Sequence, residues 1–100
     1  MNGPGFRISK EAIEDLDKIW LYTLKNWSLK QADRYYSQLI QEIEFVAAHY
    51  FIGKSLETIR KDYRVVKVKS HLIFYRRAED DVIEIVRILH ERMEIKRHLK

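Results

Sequence analysis

Apolar residues recur at spacings of three and four in the first half of the chain and at spacings near two in the second. Phe6-Arg7-Ile8 predicts a short strand. Ser9 then stands where a helix N-cap belongs, with Glu11 in the first turn, where the helix dipole favours an anion. Ala12, Ile13, Leu16, Ile19, Trp20, Leu24 and Trp27, with Thr23 among them, fall on one helical face; Glu14, Asp15, Asp17, Lys18 and Lys25 fall on the other. Ser28-Leu29-Lys30-Gln31 has the form of a capping box, so a second helix starts directly after the first. Its apolar face is Ala32, Tyr35, Tyr36, Leu39, Ile43, Val46 and Ala47, and it ends near His49. Two amphipathic helices with almost no connector predict an antiparallel hairpin.

Beyond Gly53 the pattern changes to that of strands. Tyr63-Arg64-Val65-Val66-Lys67-Val68 interleaves β-branched and charged residues, Lys69-Ser70 is a tight connector, and 71–77 is a second strand. An acidic turn at 78–81 leads to a third strand over 82–89, an inner one because both of its faces carry apolar residues. The order is β-α-α-β-β-β. The class is α+β, with the helical hairpin packed on one face of a mostly antiparallel sheet. Strict alternation would put Ile83, Ile85, Arg87 and Leu89 on one side of the last strand and Glu84, Val86, Ile88 and His90 on the other. Neither side is wholly polar. The face away from the helices therefore needs a cover: the tail, a second copy or a partner chain.

Charge divides the chain unevenly. Residues 60–100 hold twelve Lys/Arg against seven Asp/Glu, a balance of +5, whereas 1–59 hold seven against eight. Cations gathered on one part of a small protein predict a surface for an anionic or acidic partner. With 100 residues the chain predicts a single domain, 1–100. It has no cysteine, which excludes disulfides, thiolate nucleophiles and Cys-bound zinc. No apolar run approaches the roughly 20 residues of a membrane span. The opening Met-Asn-Gly-Pro-Gly lacks the features of a secretory signal, so the expected location is cytoplasmic. Three glycines and one proline make no phosphate-binding loop. No two histidines have metal-ligand spacing on one element, and nothing calls for a cofactor.

Several stretches resemble the ParE branch of the RelE/ParE toxins. They are Ile8-Ser9-Lys10-Glu11-Ala12-Ile13-Glu14-Asp15-Leu16 with Ile19-Trp20; Gln31-Ala32-Asp33-Arg34-Tyr35-Tyr36; and Gly53-Lys54-Ser55, Ile59-Arg60 and Tyr63-Arg64. The most specific are His71-Leu72-Ile73-Phe74-Tyr75-Arg76, then Ile85-Val86-Arg87-Ile88-Leu89-His90-Glu91-Arg92-Met93 and Arg97-His98-Leu99. The resemblance runs from Phe6 to Leu99 and rests on the order and spacing of these pieces. After the second helix the chain departs from the family, with Ala48-His49-Tyr50-Phe51-Ile52 in place of a frequent Asn-Pro pair.

The resemblance implies the toxin of a type II toxin–antitoxin system. Such a toxin inhibits DNA gyrase by stabilising its cleaved-DNA complex and is neutralised by a ParD-like antitoxin whose flexible acidic segment wraps it. DNA would be met only indirectly, through the antitoxin or gyrase, and no membrane is involved. Target binding is expected at Arg87, His90, Arg92, Arg97 and His98, with 90–100 acting as a functional tail whose removal spares the hairpin. Antitoxin binding is expected at Trp20, Trp27, Tyr35, Leu39 and Arg64.

The alternative is a ribosome-dependent mRNA endonuclease of the RelE type. That chemistry needs a base for the 2′-hydroxyl, an acid for the leaving oxygen and cations for the phosphorane. His90 would be the base, Tyr75 the acid, and Arg64, Arg87 and Arg92 the phosphate ligands. Glu91 beside His90 would repel a phosphate, which favours a non-catalytic gyrase inhibitor. The plainer readings are structural: Arg87 paired with Glu57 or Glu91, His71 as a structural or merely exposed residue, 79–81 as a solvated turn, and Trp20, Trp27, Tyr35 and Tyr36 as the hairpin interface. A bare nucleic-acid-binding module ranks last, because net +4 is mild and neither helix carries a basic stripe.

Overall fold

The computed structural model describes residues 5–93 and 95–99, so Glu94 and Lys100 of the expected tail lie outside the described residues. β1 (Phe6–Ile8) leads to α1 (Lys10–Asn26) and α2 (Leu29–Ala48). A 3₁₀ turn (Tyr50–Ile52) and β2 (Lys54–Ser55) follow, then β3 (Tyr63–Val68), β4 (His71–Arg77), β5 (Ile83–His90) and α3 (Ile95–His98). The sheet order is β1-β5-β4-β3-β2. β3, β4 and β5 form the expected antiparallel meander, and β5 is an inner strand. β1 joins it in parallel, Phe6 opposite Ile83 and Ile8 opposite Ile85. Both edges are thus closed by strands of two or three residues, too short to template further pairing.

Local signals act as read at the helix starts. Ser9 Oγ accepts from Ala12 N–H at 3.0 Å, and Ser28 Oγ accepts from Gln31 N–H at 3.1 Å. Trp20 Nε1 on α1 donates to Asp33 Oδ1 on α2 at 3.0 Å, bridging the hairpin. Between hairpin and sheet lies one core of Ala12, Leu16, Leu39, Ile43, Val46, Ile73, Tyr75, Ile83, Ile85 and Ile88.

Ile83, Ile85 and Ile88 cannot share a face under strict alternation, so that expectation is corrected. A β-bulge breaks the period: Phe74 pairs with Arg87 and Tyr75 with Ile85, leaving Val86 without its own partner. β1 stops at Ile8, so the edge of β5 beyond Ile85 has no strand beside it. The start of α1 takes its polar groups instead. Ser9 N–H donates to Ile85 O at 2.9 Å, and Ser9 Oγ donates to Val86 O at 2.8 Å.

The second sheet face carries its own cluster of Leu56, Phe74, Leu89 and Leu99, with Tyr63, Val65, Leu72 and Val86 packed against it. The cover required by the sequence is the chain's own tail. Leu99 is 3% exposed, and Arg60 Nη1 donates to Leu99 O at 3.2 Å.

Candidate functional site

α1 and α2 stand away from the sheet where the β3–β4 turn and the end of β5 come up beneath them. The gap is an open groove of about 660 Å³. Ile19, Thr23 and Tyr35 contribute apolar lining, Tyr22 and Trp27 an aromatic rim, and Lys18, Arg34 and Lys69 cations; among the described residues no Asp or Glu lines it. Trp27 was expected in the hairpin interface. It is the C-cap of α1 and 68% exposed, because the helix ends before its side chain reaches α2 or the sheet.

His71 and His90 also line the groove. They are cross-strand partners on β4 and β5, with ring centroids 5.4 Å apart and planes near perpendicular. Tyr35 Oη donates to Val68 O at 2.9 Å and lies 2.7 Å from His71 Nδ1. With its one proton given to the carbonyl, the hydroxyl accepts from His71, which assigns that ring's hydrogen to Nδ1. Arg92 N–H donates to His90 Nδ1 at 3.1 Å, which assigns the hydrogen of that ring to Nε2. Burial and then His90 lower the pKa of His71, against partial opposition from Asp15 and Glu91. Burial likewise pushes the Tyr35 hydroxyl up.

Behind the groove, Asp15 joins α1 to β5. Its carboxylate accepts from Arg87 Nε at 2.8 Å, Arg87 Nη2 at 2.9 Å and Ile88 N–H at 2.9 Å. Asp15 is buried, correcting its place on the polar helix face, and it replaces Glu57 or Glu91 as the partner of Arg87. That hydrogen bond, more than the charge itself, raises the pKa of Arg87 further. Glu91 instead pairs with Lys67 at 2.7 Å.

The other predicted residues scatter. Leu39 is 0% exposed in the core, so this conformation offers an antitoxin none of its surface. Arg64 lies outside the groove, donating to Gly53 O at 2.7 Å and stacking 5.1 and 5.0 Å from the Tyr50 and Phe51 ring centres. Arg92 and Arg97 are exposed and His98 is half-buried. Leu99 belongs to the second core, so the tail has a structural role beside the functional one expected of it. Of the predicted site residues, only Trp27, Tyr35 and His90 meet in the groove. Lys18, Arg34 and Lys69 were missed; their one sequence signal was cationic character, which becomes a cluster only when α1, α2 and the turn meet.

Two of the candidate nuclease groups, Arg87 and Tyr75, are committed elsewhere. Tyr75 is fully buried; its hydroxyl donates to Tyr50 O at 2.8 Å and accepts from Gly53 N–H at 2.9 Å. Burial raises its pKa, making it a poorer acid.

The profile described as the ParE toxin of the type II toxin-antitoxin system, parDE, matches residues 6–95. The chain belongs to the ParE toxin family. Toxin ParE1 of Caulobacter vibrioides is 38% identical over 94 residues, covering 94% of this chain and 96% of that protein. Toxin ParE1 of Mycobacterium tuberculosis is 36% identical over the same shares of each chain, and Toxin ParE of Escherichia coli is 31% identical over 88 residues, 88% of this chain and 85% of that one. A solved structure of the chromosomal ParDE TA system from P. aeruginosa superposes with a TM-score of 0.74 at 15% identity, covering 86% of this chain and 94% of that chain. This ParE-family toxin thus shares the fold of that structure, hairpin and sheet included. Among the described residues, no helix is long and apolar enough to cross a membrane.

Proposed function

We propose that this toxin acts in the cytoplasm as a non-catalytic inhibitor of DNA gyrase, holding the enzyme on cleaved DNA, and that a ParD-like antitoxin neutralises it. The observation that carries the reading is the family match along residues 6–95. The commitment of Tyr75 to Tyr50 and Gly53, and of Arg87 to Asp15, supports a mechanism without bond-breaking. Target contacts are assigned to His90, Arg92, Arg97 and His98 in a functional tail, 90–100, of a single domain. Arg87 holds the strand from which that tail departs. Antitoxin contacts are assigned to Trp20, Trp27, Tyr35 and Arg64.

Purified toxin added to gyrase supercoiling and DNA-cleavage reactions is expected to yield linearised plasmid. In parallel it is expected to leave a reporter message intact on translating ribosomes. A cut message with untouched gyrase turnover overturns the reading. Arg92→Ala with Arg97→Ala is expected to cut plasmid linearisation at least tenfold without unfolding the protein, since both side chains are solvent-exposed.

A further inference from the structure

The groove has an unbalanced chemistry. Among the described residues, three cations and two histidines line it with no carboxylate. The nearby acids are already engaged, Asp15 by Arg87 and Glu91 by Lys67. Each histidine uses Nδ1 in a hydrogen bond, with Tyr35 or Arg92, and neither Nε2 has a partner among the described residues. Gln38 lines the same groove, and its Oε1 is buried without a hydrogen-bond donor. Tyr22, 65% exposed, and Trp27 add apolar surface at the rim.

We propose that the groove seats an amphipathic, carboxylate-bearing segment of the antitoxin, one carboxylate meeting the paired imidazoles so that binding takes up a proton. This rests on the antitoxin reading above. His90 Nε2–H donates to the carboxylate directly. His71 Nε2 carries a lone pair in the free toxin and becomes a second donor when it captures a proton from solvent. Tyr35 from α2, Asp15 from α1, Lys69 from the turn and Glu91 beyond β5 all face this pair. None of them brings a free carboxylate, so the incoming one dominates the change. Apolar side chains of the same segment lie on Trp27 and Tyr22, and its other acids face Lys18 and Arg34. Complementarity of charge and of apolar surface selects a protein segment over a small anion, which would leave the rim bare.

The sign follows from linkage. Burial depresses the pKa of His71 in the free toxin, and a carboxylate in contact raises it in the complex. Affinity therefore rises as pH falls, by up to about tenfold per pH unit for one proton.

The test is calorimetric titration of the full-length toxin with a ParD-like antitoxin purified on its own. It is run near pH 6 and near pH 8, in two buffers of different ionisation enthalpy. Expected results are uptake of one proton, at least tenfold weaker binding by Lys18→Glu with Arg34→Glu, and loss of the pH dependence in His71→Gln. Glu79→Ala, exposed in the β4–β5 turn and outside the groove, is expected to stay within twofold of wild type. Melting curves identify any variant that fails to fold, and the exposed rim reversals keep the test decisive if His71→Gln is lost. Wild-type toxin that binds no antitoxin sinks the antitoxin reading. Binding indifferent to the rim reversals, or unchanged proton uptake in His71→Gln, sinks only this inference. So does capture of ATP or duplex DNA in the groove, lost in the rim variants while antitoxin binding persists.

Discussion

Asp15 accepts three hydrogen bonds with one carboxylate, from both arms of Arg87 and from the N–H of Ile88. Asp15→Ala would leave a half-buried guanidinium unpaired and a buried amide without an acceptor. A loss of about 3 kcal/mol is expected, read from urea denaturation midpoints. A double-mutant cycle with Arg87→Ala should recover much of that loss, because the orphaned charge is then gone. His71 sets a pH dependence of its own. Its pKa in the folded free toxin lies below the ordinary histidine value near 6.5, so the unfolded chain binds the proton more readily. Stability from this group is complete above about pH 6.5 and is lost as pH falls through the lowered folded value. Melting temperatures of wild type and His71→Gln should therefore diverge less below pH 6 than at pH 8, where a constant offset would refute the assignment. Neither effect was legible in the sequence. Asp15 sat among four other charged residues on a helix face, and nothing local marked it as the one that turns inward.

At the scale of elements, the periodic pattern located both helices, the meander and their caps within a residue or two, since amphipathic spacing and serine caps act locally. It missed β2 and the 3₁₀ turn, which depend on a long-range fit. Gly53 packs its backbone against the Tyr75 hydroxyl, and a Cβ there would collide with that oxygen and with Val65 O. Its φ of −76° is open to any residue, so close approach, not a left-handed conformation, requires glycine. Gly53→Ala and Tyr75→Phe should each destabilise by about 2 kcal/mol in thermal or chemical unfolding. The first acts by overpacking, the second by stranding Gly53 N–H and Tyr50 O. The β5 bulge was equally hidden, because one unpaired residue leaves no mark on composition and reverses every face assignment after it.

For the whole molecule, the tail is part of the architecture. Leu99 joins Leu56, Phe74 and Leu89 on the face of the sheet opposite the hairpin. Leu99→Ala is expected to cost about 2–3 kcal/mol, measured by equilibrium unfolding. Deleting 95–100 should do more, exposing an apolar sheet face and raising binding of a hydrophobic dye. Tail deletion therefore cannot separate target contact from folding, whereas the exposed Arg92 and Arg97 can be changed singly with Leu99 in place.

The two helices with their caps, the three-strand meander, the class of fold and the concentration of cations in 60–100 followed from sequence alone, since each depends mainly on neighbours within a few positions. The family, too, was legible from short stretches in a fixed order, and the profile match over 6–95 bears that out. Tertiary structure alone decided the parallel seat of β1, the inward turn of Asp15, the sealing role of Leu99 and the meeting of Trp27, Tyr35, His71 and His90 around one groove. Those features arise where segments tens of residues apart close on one another, and no period along the chain encodes which distant surfaces will touch.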